Sequence, residues 1–521
     1  MEVAIIAFVP LLGALAAISL RGRGAGFANL AASTGVLAAA LPLPFVVQDA
    51  AAYYWGGYVV VDPFGAWVDL CTACVYFLAS LHAIGYMRAG GRQRRLPEFY
   101  ALFALFACTM LIAPLMANVG IYWITIELTT LVSTFLVGWE REPESLEAAW
   151  KYIIIVSAGI SLALLGTVLL YWCGSLVLGP TYDMTWNQLA SVAPRLDPVL
   201  LKLSFLLLLI GFGTKVGLAP MHTWLPDAHS EGPAPVSAML SGALLNTATI
   251  GIVRSLFITD AAGVGRLPHA ALVVLGVFSV FVGALFIVRQ HGIKRLMAYS
   301  SVEHMGVIAL GFGFGGALGV FGALYHMLLH SLNKSLMFFG AGNAMHRYAS
   351  KRIEDLREVL RAFPVTGWLW LGGAVAITGA PPFGLFLSEF SVLRGGFVSP
   401  NVWAAWLMLL LLIVIFIGFL NHFRVMYFVR CEATRAPAVI DGDRDRPAGG
   451  SFGGRSQDDR DLDGRGRQRA FEVPPHPATS ILWCGLPMWL AFLPLLVLGL
   501  WWPASLRALF RVIAGSLGVA P

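Results

Sequence analysis

Stretches of about twenty predominantly apolar residues follow one another from Val3 to Trp502, with one long polar interruption, and few folds accommodate that pattern. A helix of that length crosses the hydrocarbon core of a bilayer with its backbone polar groups paired inside it. The charge content agrees. Only 12% of the 521 residues are charged and the mean hydropathy is +0.75, whereas a soluble chain carries about 25% charge. So little charge cannot coat a surface this large, and lipid must solvate most of it. Candidate spans run 3–20, 25–48, 64–87, 99–117, 119–138, 150–173, 201–225, 234–257, 269–290, 297–314, 317–345, 365–396, 402–428 and 478–502. The expected class is all-α, a polytopic membrane protein of about fourteen transmembrane helices.

Basic residues sort by loop. After the first, third, ninth, eleventh and thirteenth spans come Arg21 and Arg23; Arg88, Arg92, Arg94 and Arg95; Arg289, Lys294 and Arg295; Lys351, Arg352, Arg357 and Arg361; and Arg424, Arg430 and Arg435. The even loops are nearly empty, with Arg195, Arg266 and Arg394 the main exceptions. The positive-inside rule puts the odd loops in the cytoplasm and both termini on the opposite side, which in a bacterial inner membrane is the periplasm. The net charge of +6 therefore belongs to short loops, not to a folded basic face, and nucleic acid is not an expected partner. The first segment lacks a basic leader and precedes Arg21 and Arg23, so it reads as a retained span. Six cysteines are scattered through apolar segments, apart from Cys431 in a loop. Cys71 and Cys74 form a CxxC with no second pair, which suits buried thiols better than a zinc or iron–sulfur site. No metal or cofactor is expected.

Residues 436–477 mix Asp and Arg with Gly and Ser and read as a disordered cytoplasmic loop. Two spans carry helix breakers: the seventh at Pro220 and Pro226, the twelfth at Gly379, Pro381 and Pro382. Lys215 follows Phe99 by 116 residues and Glu389 follows His269 by 120. Matching interrupted spans are the trace of inverted repeats in transporters. The expected division is three helices over 1–98, a first five-helix repeat over 99–257, a second over 258–435, the loop 436–477, and a last helix in 478–521.

Ionisable groups inside the hydrocarbon zone are costly and point to function. Glu127 lies near the middle of the fifth span, Lys215 at the break of the seventh and Glu389 after the break of the twelfth. His326, His330 and Lys334 recur every fourth residue, which puts them on one helix face. Carboxylate, amine and imidazole groups in file can hold and release protons, and a moving charge at one gates the next. Packing offers plainer readings: a structural ion pair of Glu127 with Lys215, an interhelical hydrogen bond at His326, and a helix-surface pair for Glu147 with Lys151. His82, His269, His291 and His304 fall near span ends and read as interfacial, and Asp69 as able to snorkel there. No nucleophile elbow, cofactor fingerprint or catalytic centre is visible.

Longer motifs add a resemblance. Glu127 in its helix, Lys215 to Glu231 (KVGLAPMHTWLPDAHSE), Ile293 to Ser301 (IKRLMAYSS), and His326, His330 and Lys334 resemble the antiporter-like subunits of respiratory complex I. That superfamily includes multi-subunit sodium/proton antiporters and membrane-bound hydrogenases. Ser145 to Ile155, Pro235 to Asn246 and Leu387 to Phe390 look most like the F component of hydrogenase 4, with the M-type complex I subunit next. The resemblance implies a proton-translocating subunit of a redox-driven complex, partnered by other membrane subunits. It implies an intake-side pair of Glu127 and Lys215, a central relay of His326, His330 and Lys334, and Glu389 on the exit side. Secondary candidates are Glu147, Lys151, His222, His229 and Asn246. Asn246 departs from the M-type pattern, which has lysine there, so a lysine-to-lysine relay is not expected at that point; His229 or ordered water near Asn246 could bridge the gap. The alternative is a sodium/proton antiporter subunit or another ion exchanger without redox chemistry.

Overall fold

Short polar residues set several helix starts. Asp62 accepts a hydrogen bond from the Gly65 amide at 2.6 Å, Asn118 from Ile121 at 2.9 Å, and Asp197 from Val199 and Leu200 at 2.9 and 2.8 Å. Pro63 and Pro198 follow two of these caps in the first turn, where a missing amide proton costs nothing. The computed structural model describes residues 1–20, 23–47, 51–90, 93–429 and 478–518. The expected loop 436–477, with Arg21, Arg92, Arg430, Cys431 and Arg435, lies outside the described residues.

The first helices are α1 (Glu2–Ser19), α2 (Arg23–Ala40), α3 (Pro63–Ala89), α4 (Leu96–Ile112), α5 (Val119–Val137), α6 (Pro143–Leu178) and α7 (Pro198–Val216). There follow α8 (Trp224–Glu231), α9 (Leu245–Ala261), α10 (Arg266–Val288), α11 (Ile293–Phe314) and α12 (Gly316–Tyr348). The last are α13 (Pro364–Ile377), α14 (Gly384–Val398), α15 (Val402–Phe428), α16 (Ala478–Leu500) and α17 (Ala504–Ser516). Among the described residues eleven helices are long and apolar enough to cross a membrane. The other three expected spans coincide with α11 and α12, whose apolarity is diluted by buried Glu303, His304, His326, His330 and Lys334, and with the pair α13/α14, which the break leaves as helices of 14 and 15 residues.

Both expected breaks are present. Gly217 ends α7 with φ +81°, a left-handed turn that a side chain disfavours, and Pro220 delays the restart as α8. Gly379, Pro381 and Pro382 separate α13 from α14. Three features were not anticipated. A hairpin pairs Ala52–Tyr54 with Val59–Val61. Leu240–Leu244 is a π-helical turn leading into α9. α17 is amphipathic: Leu506, Leu509, Phe510 and Ile513 face α12 and α3 while Arg507 and Arg511 face outward.

Burial grades from centre to rim. The stretch Ala234–Leu256 is wholly buried and α3 nearly so, whereas α15 and α16 leave most of their apolar surface for lipid. α12 is central, packed on α3, α11, α13, α14 and α16. α6 and α7 meet along a seam of small residues. A Cβ on Gly211 would stand 2.4 Å from the Ala163 backbone nitrogen, one on Gly159 2.5 Å from Thr214, and one on Gly166 2.9 Å from the Leu208 nitrogen. Gly211→Ala is therefore expected to pry the pair apart and lower stability by about 1–3 kcal/mol. Thermal unfolding of the detergent-solubilised protein reads this directly, and an unchanged midpoint would refute it.

Candidate functional site

Two clusters hold the sequence candidates. In the first, Glu127 on α5 faces α6 and α7. Ser157 donates to Glu127 Oε1 at 2.8 Å and Thr130 to Oε2 at 3.4 Å. The fully buried Lys215 ammonium donates to Thr130 Oγ1 and to Tyr152 OH, each at 2.8 Å, and Tyr152 OH shares a 2.7 Å hydrogen bond with Ser133. Thr130 thus connects the carboxylate to the ammonium, and among the described residues the two form no direct ion pair. The charges of Glu127 and Lys215 still act on one another. Hydroxyls both donate and accept, so Thr130, Tyr152 and Ser133 form a hydrogen-bonded bridge able to reorient.

The second cluster lies between α11 and α12. Lys334 donates to the Met297 carbonyl at 3.0 Å and to Ser300 Oγ. Glu303, one turn along α11 from Ser300, is within electrostatic reach of Lys334. His304 Nδ1 is 3.0 Å from His326 Nε2, and His326 Nδ1 is 2.9 Å from Ser388 Oγ on α14. Ser388 donates its own hydrogen to the Leu385 carbonyl at 2.8 Å, so it accepts from His326 Nδ1–H. In the neutral rings this makes His326 Nε2 the acceptor and His304 Nδ1 the donor. His304 Nε2 then presents its lone pair to Glu303 Oε2 at 3.4 Å. Those lone pairs repel unless a proton lies between them, so the geometry favours one there.

His330 packs beside His304 and His326, with ring centroids 5.5 and 6.4 Å away, and neither of its nitrogens has a protein partner. Glu389 belongs to the same cluster: one ligand atom from each of His304, His326 and Glu389 falls within 4.8 Å of the others. Its carboxylate is lodged against Gly379 in the break between α13 and α14, where a Cβ would lie 1.9 Å from Oε2. Apart from the His304 Nε2 and Glu303 Oε2 contact, buried polar atoms without protein partners recur across the cluster: Glu303 Oε1, Glu389 Oε1 and Asn246 Oδ1. Proton carriers need such uncommitted lone pairs, because a group saturated by fixed hydrogen bonds does not exchange.

The secondary candidates divide. Asn246 follows the π-helical turn and donates from Nδ2 to Ser331 Oγ at 2.9 Å and to the Met327 carbonyl at 3.2 Å, which fastens α9 to α12. His229 is fully buried, with neither ring nitrogen partnered. His222 lies near the Tyr299 ring, 6.3 Å away. Glu147 and Lys151 form an exposed 2.6 Å ion pair, which Asp227 joins at 3.3 Å from Lys151, outside the buried groups.

Four residues correct the sequence reading. His304 is fully buried within the cluster, not interfacial, because α11 inserts between α10 and α12. His82 is likewise fully buried, stacked on Phe339 and 3.1 Å from Asn343 Oδ1. Asp69 does not snorkel: it is fully buried with both oxygens unpartnered, inside a helix packed on several sides. Lys294 was counted with the loop cations, yet it is 4% exposed. Glu303 was missed altogether. Its signal was the recurrence of Lys294, Met297, Ser300, Ser301, Glu303 and His304 at helical spacing.

With this arrangement in view, comparison with known proteins is decisive. Residues 102–418 match the family described as NADH:quinone oxidoreductase/Mrp antiporter, TM. The chain belongs to that family. It is 40% identical over 364 residues to the Hydrogenase-4 component F homolog of Methylacidiphilum infernorum (isolate V4), covering 66% of this chain and 75% of that protein. It is 29% identical over 425 residues to NADH-quinone oxidoreductase subunit N of Desulforudis audaxviator (strain MP104C), covering 79% and 82%. A chain of the membrane-bound sulfane sulfur reductase, an archaeal respiratory membrane complex, superposes with a TM-score of 0.82 at 20% identity, covering 99% of this chain and 98% of that one. That last likeness concerns the fold. The family's members are multi-pass membrane subunits, as the helices of this chain require.

Proposed function

We propose that this chain moves protons across the membrane as a subunit of a redox-driven complex, of the hydrogenase 4 or NADH:quinone oxidoreductase type. The observation that carries the reading is the file of buried titratable groups, Lys334, Glu303, His330, His304, His326 and Glu389, between α11, α12 and α14. The Glu127–Thr130–Lys215 bridge supplies a second charge pair whose state can be switched by a neighbouring subunit. In this reading the chain crosses the membrane fourteen times, its termini are periplasmic, and residues 99–257 and 258–435 form inverted repeats. The breaks after α7 and after α13 stand at corresponding places in those repeats. The driving energy arrives from redox partners, since this chain contributes charge transfer alone.

An ion-exchanging role without redox chemistry is the second reading, favoured by the antiporter half of the family description. Purification of the tagged chain with its partners separates the two, since co-purifying redox subunits support pumping and small antiporter subunits support exchange. Within vesicles holding the assembled complex, Glu127→Gln and Lys215→Ala are each expected to reduce pumping about a hundredfold, the scale of a lost proton-transfer group. Parental rates in both variants, with assembly intact, would reduce these residues to structural parts.

A further inference from the structure

We infer that a cavity of about 250 Å³ with Lys294 in its wall is the proton intake of the buried file, delivering through His229 to His330 and Lys334. The inference rests on the relay reading proposed above and names where that relay meets water.

The cavity is lined by Gly90, Glu140, Glu142, Ser230, Lys294 and Lys351, among others. These residues come from the ends of α3, α5, α6, α8, α11 and α12 that carry the odd-numbered loops, so it opens on the face rich in basic loop residues. Lys294 lines it while remaining almost wholly buried. Its ammonium donates to the Gly232 carbonyl at 2.5 Å and the Ser230 carbonyl at 3.4 Å, at the C-terminal end of α8. Glu231, which stands between Ser230 and Gly232, is engaged by Lys351 at 2.7 Å. Glu231, Glu140 and Lys351 all act electrostatically on Lys294, and the acidic pair offsets the cost of keeping a cation there. Held by carbonyls instead of a carboxylate, the ammonium can give up a proton without breaking an ion pair.

The next group inward is His229, the residue before Ser230. It is fully buried, and neither of its ring nitrogens has a protein partner. It stands within electrostatic reach of Lys294, Lys334 and His330. Trp224 and Phe338 pack beside its ring, with centroids 6.1 and 5.6 Å away. The step is proton transfer alone. The Lys294 ammonium passes one proton to a His229 nitrogen, and the resulting amine takes one from water in the cavity. The His229 cation then passes its other-side proton to His330 or to neutral Lys334. One proton leaves the cavity water, one reaches the file, and only O–H and N–H bonds change.

A lysine that merely clamps the end of α8 would make the same contacts, and the test is built to separate the two. Lys294→Gln keeps a hydrogen-bond donor for the carbonyls but cannot titrate, and Lys294→Ala leaves room for a small base. In vesicles holding the assembled complex, both variants are expected to pump at least about tenfold more slowly. Imidazole added on the basic-loop face should restore Lys294→Ala and not Lys294→Gln. Parental pumping in Lys294→Gln overturns the inference. So does a loss in both variants that imidazole leaves unrelieved, since that is the behaviour of a clamp. Lys334→Met measured alongside distinguishes the levels: parental pumping there sinks the relay reading, while its loss beside an unaffected Lys294→Gln sinks the intake alone.

Discussion

Complexes carrying Lys334→Met are expected to assemble and to pump at least about a hundredfold more slowly than the parent. Methionine nearly matches lysine in length and volume, so α12 keeps its packing against α11. What disappears is the amine that donates to the Met297 carbonyl and Ser300 and balances Glu303. Glu303, left buried without an opposing charge, takes up a proton and becomes neutral, which removes the fold's main penalty for the substitution. It also removes the switch, because a charge can no longer appear at residue 334 to push a proton towards His330 and His304. Adding Glu303→Gln should restore any lost stability without restoring pumping, and that split between assembly and transport is the signature to look for. A dye-monitored pumping assay with co-purification as the assembly control reads both. Parental pumping in Lys334→Met would take the file out of the proton path.

The largest expected effect on stability is elsewhere. Arg254 on α9 is almost fully buried and reaches three groups on two other segments: Asp62 at 2.6 Å, and in the turn after α4 the Pro114 carbonyl at 3.1 Å and the Met116 carbonyl at 3.5 Å. Asp62 also caps α3, so the pair ties a helix start to the turn after α4 and to the centre of the molecule. Removing one member of a buried pair typically costs about 3–5 kcal/mol; here Asp62 is 25% exposed, and water relieves part of that. Arg254→Met should therefore lower stability by about 2–3 kcal/mol, with partial recovery on adding Asp62→Asn. Thermal unfolding in detergent measures it, and an unshifted midpoint would show that the clamp contributes nothing.

Hydrophobicity alone made most of the helices legible, and proline with glycine marked both breaks, because these signals are local. His326, His330 and Lys334 were legible for the same reason: one helix repeats them every fourth residue. The other half of that cluster was not. Lys294 stands beside Arg295 at a span boundary, where the positive-inside rule accounts for it as a loop cation. His304 reads as interfacial at that boundary, and Glu303 beside it carries no separate signal. Only the packing of α11 against α12 turns those residues inward, and packing between helices leaves no mark in either one alone. α17 could have been anticipated, since Leu506, Leu509, Phe510 and Ile513 recur at helical spacing, but thirteen residues are too few to register as a span.

The glycine seam of α6 and α7 bears on how a signal from a neighbour can arrive. Gly159 touches Thr214, the residue next to Lys215, and lies two residues from Ser157, the donor to Glu127. Contact made largely by backbone leaves few side chains to swivel when one helix slides on the other. Lys215 and the groups that hold it therefore share a stiff frame. A message from an adjoining subunit is cheapest to transmit there as a voltage, the gain or loss of a charge beside Glu127, while mechanical displacement is left to the two points where the helices are interrupted.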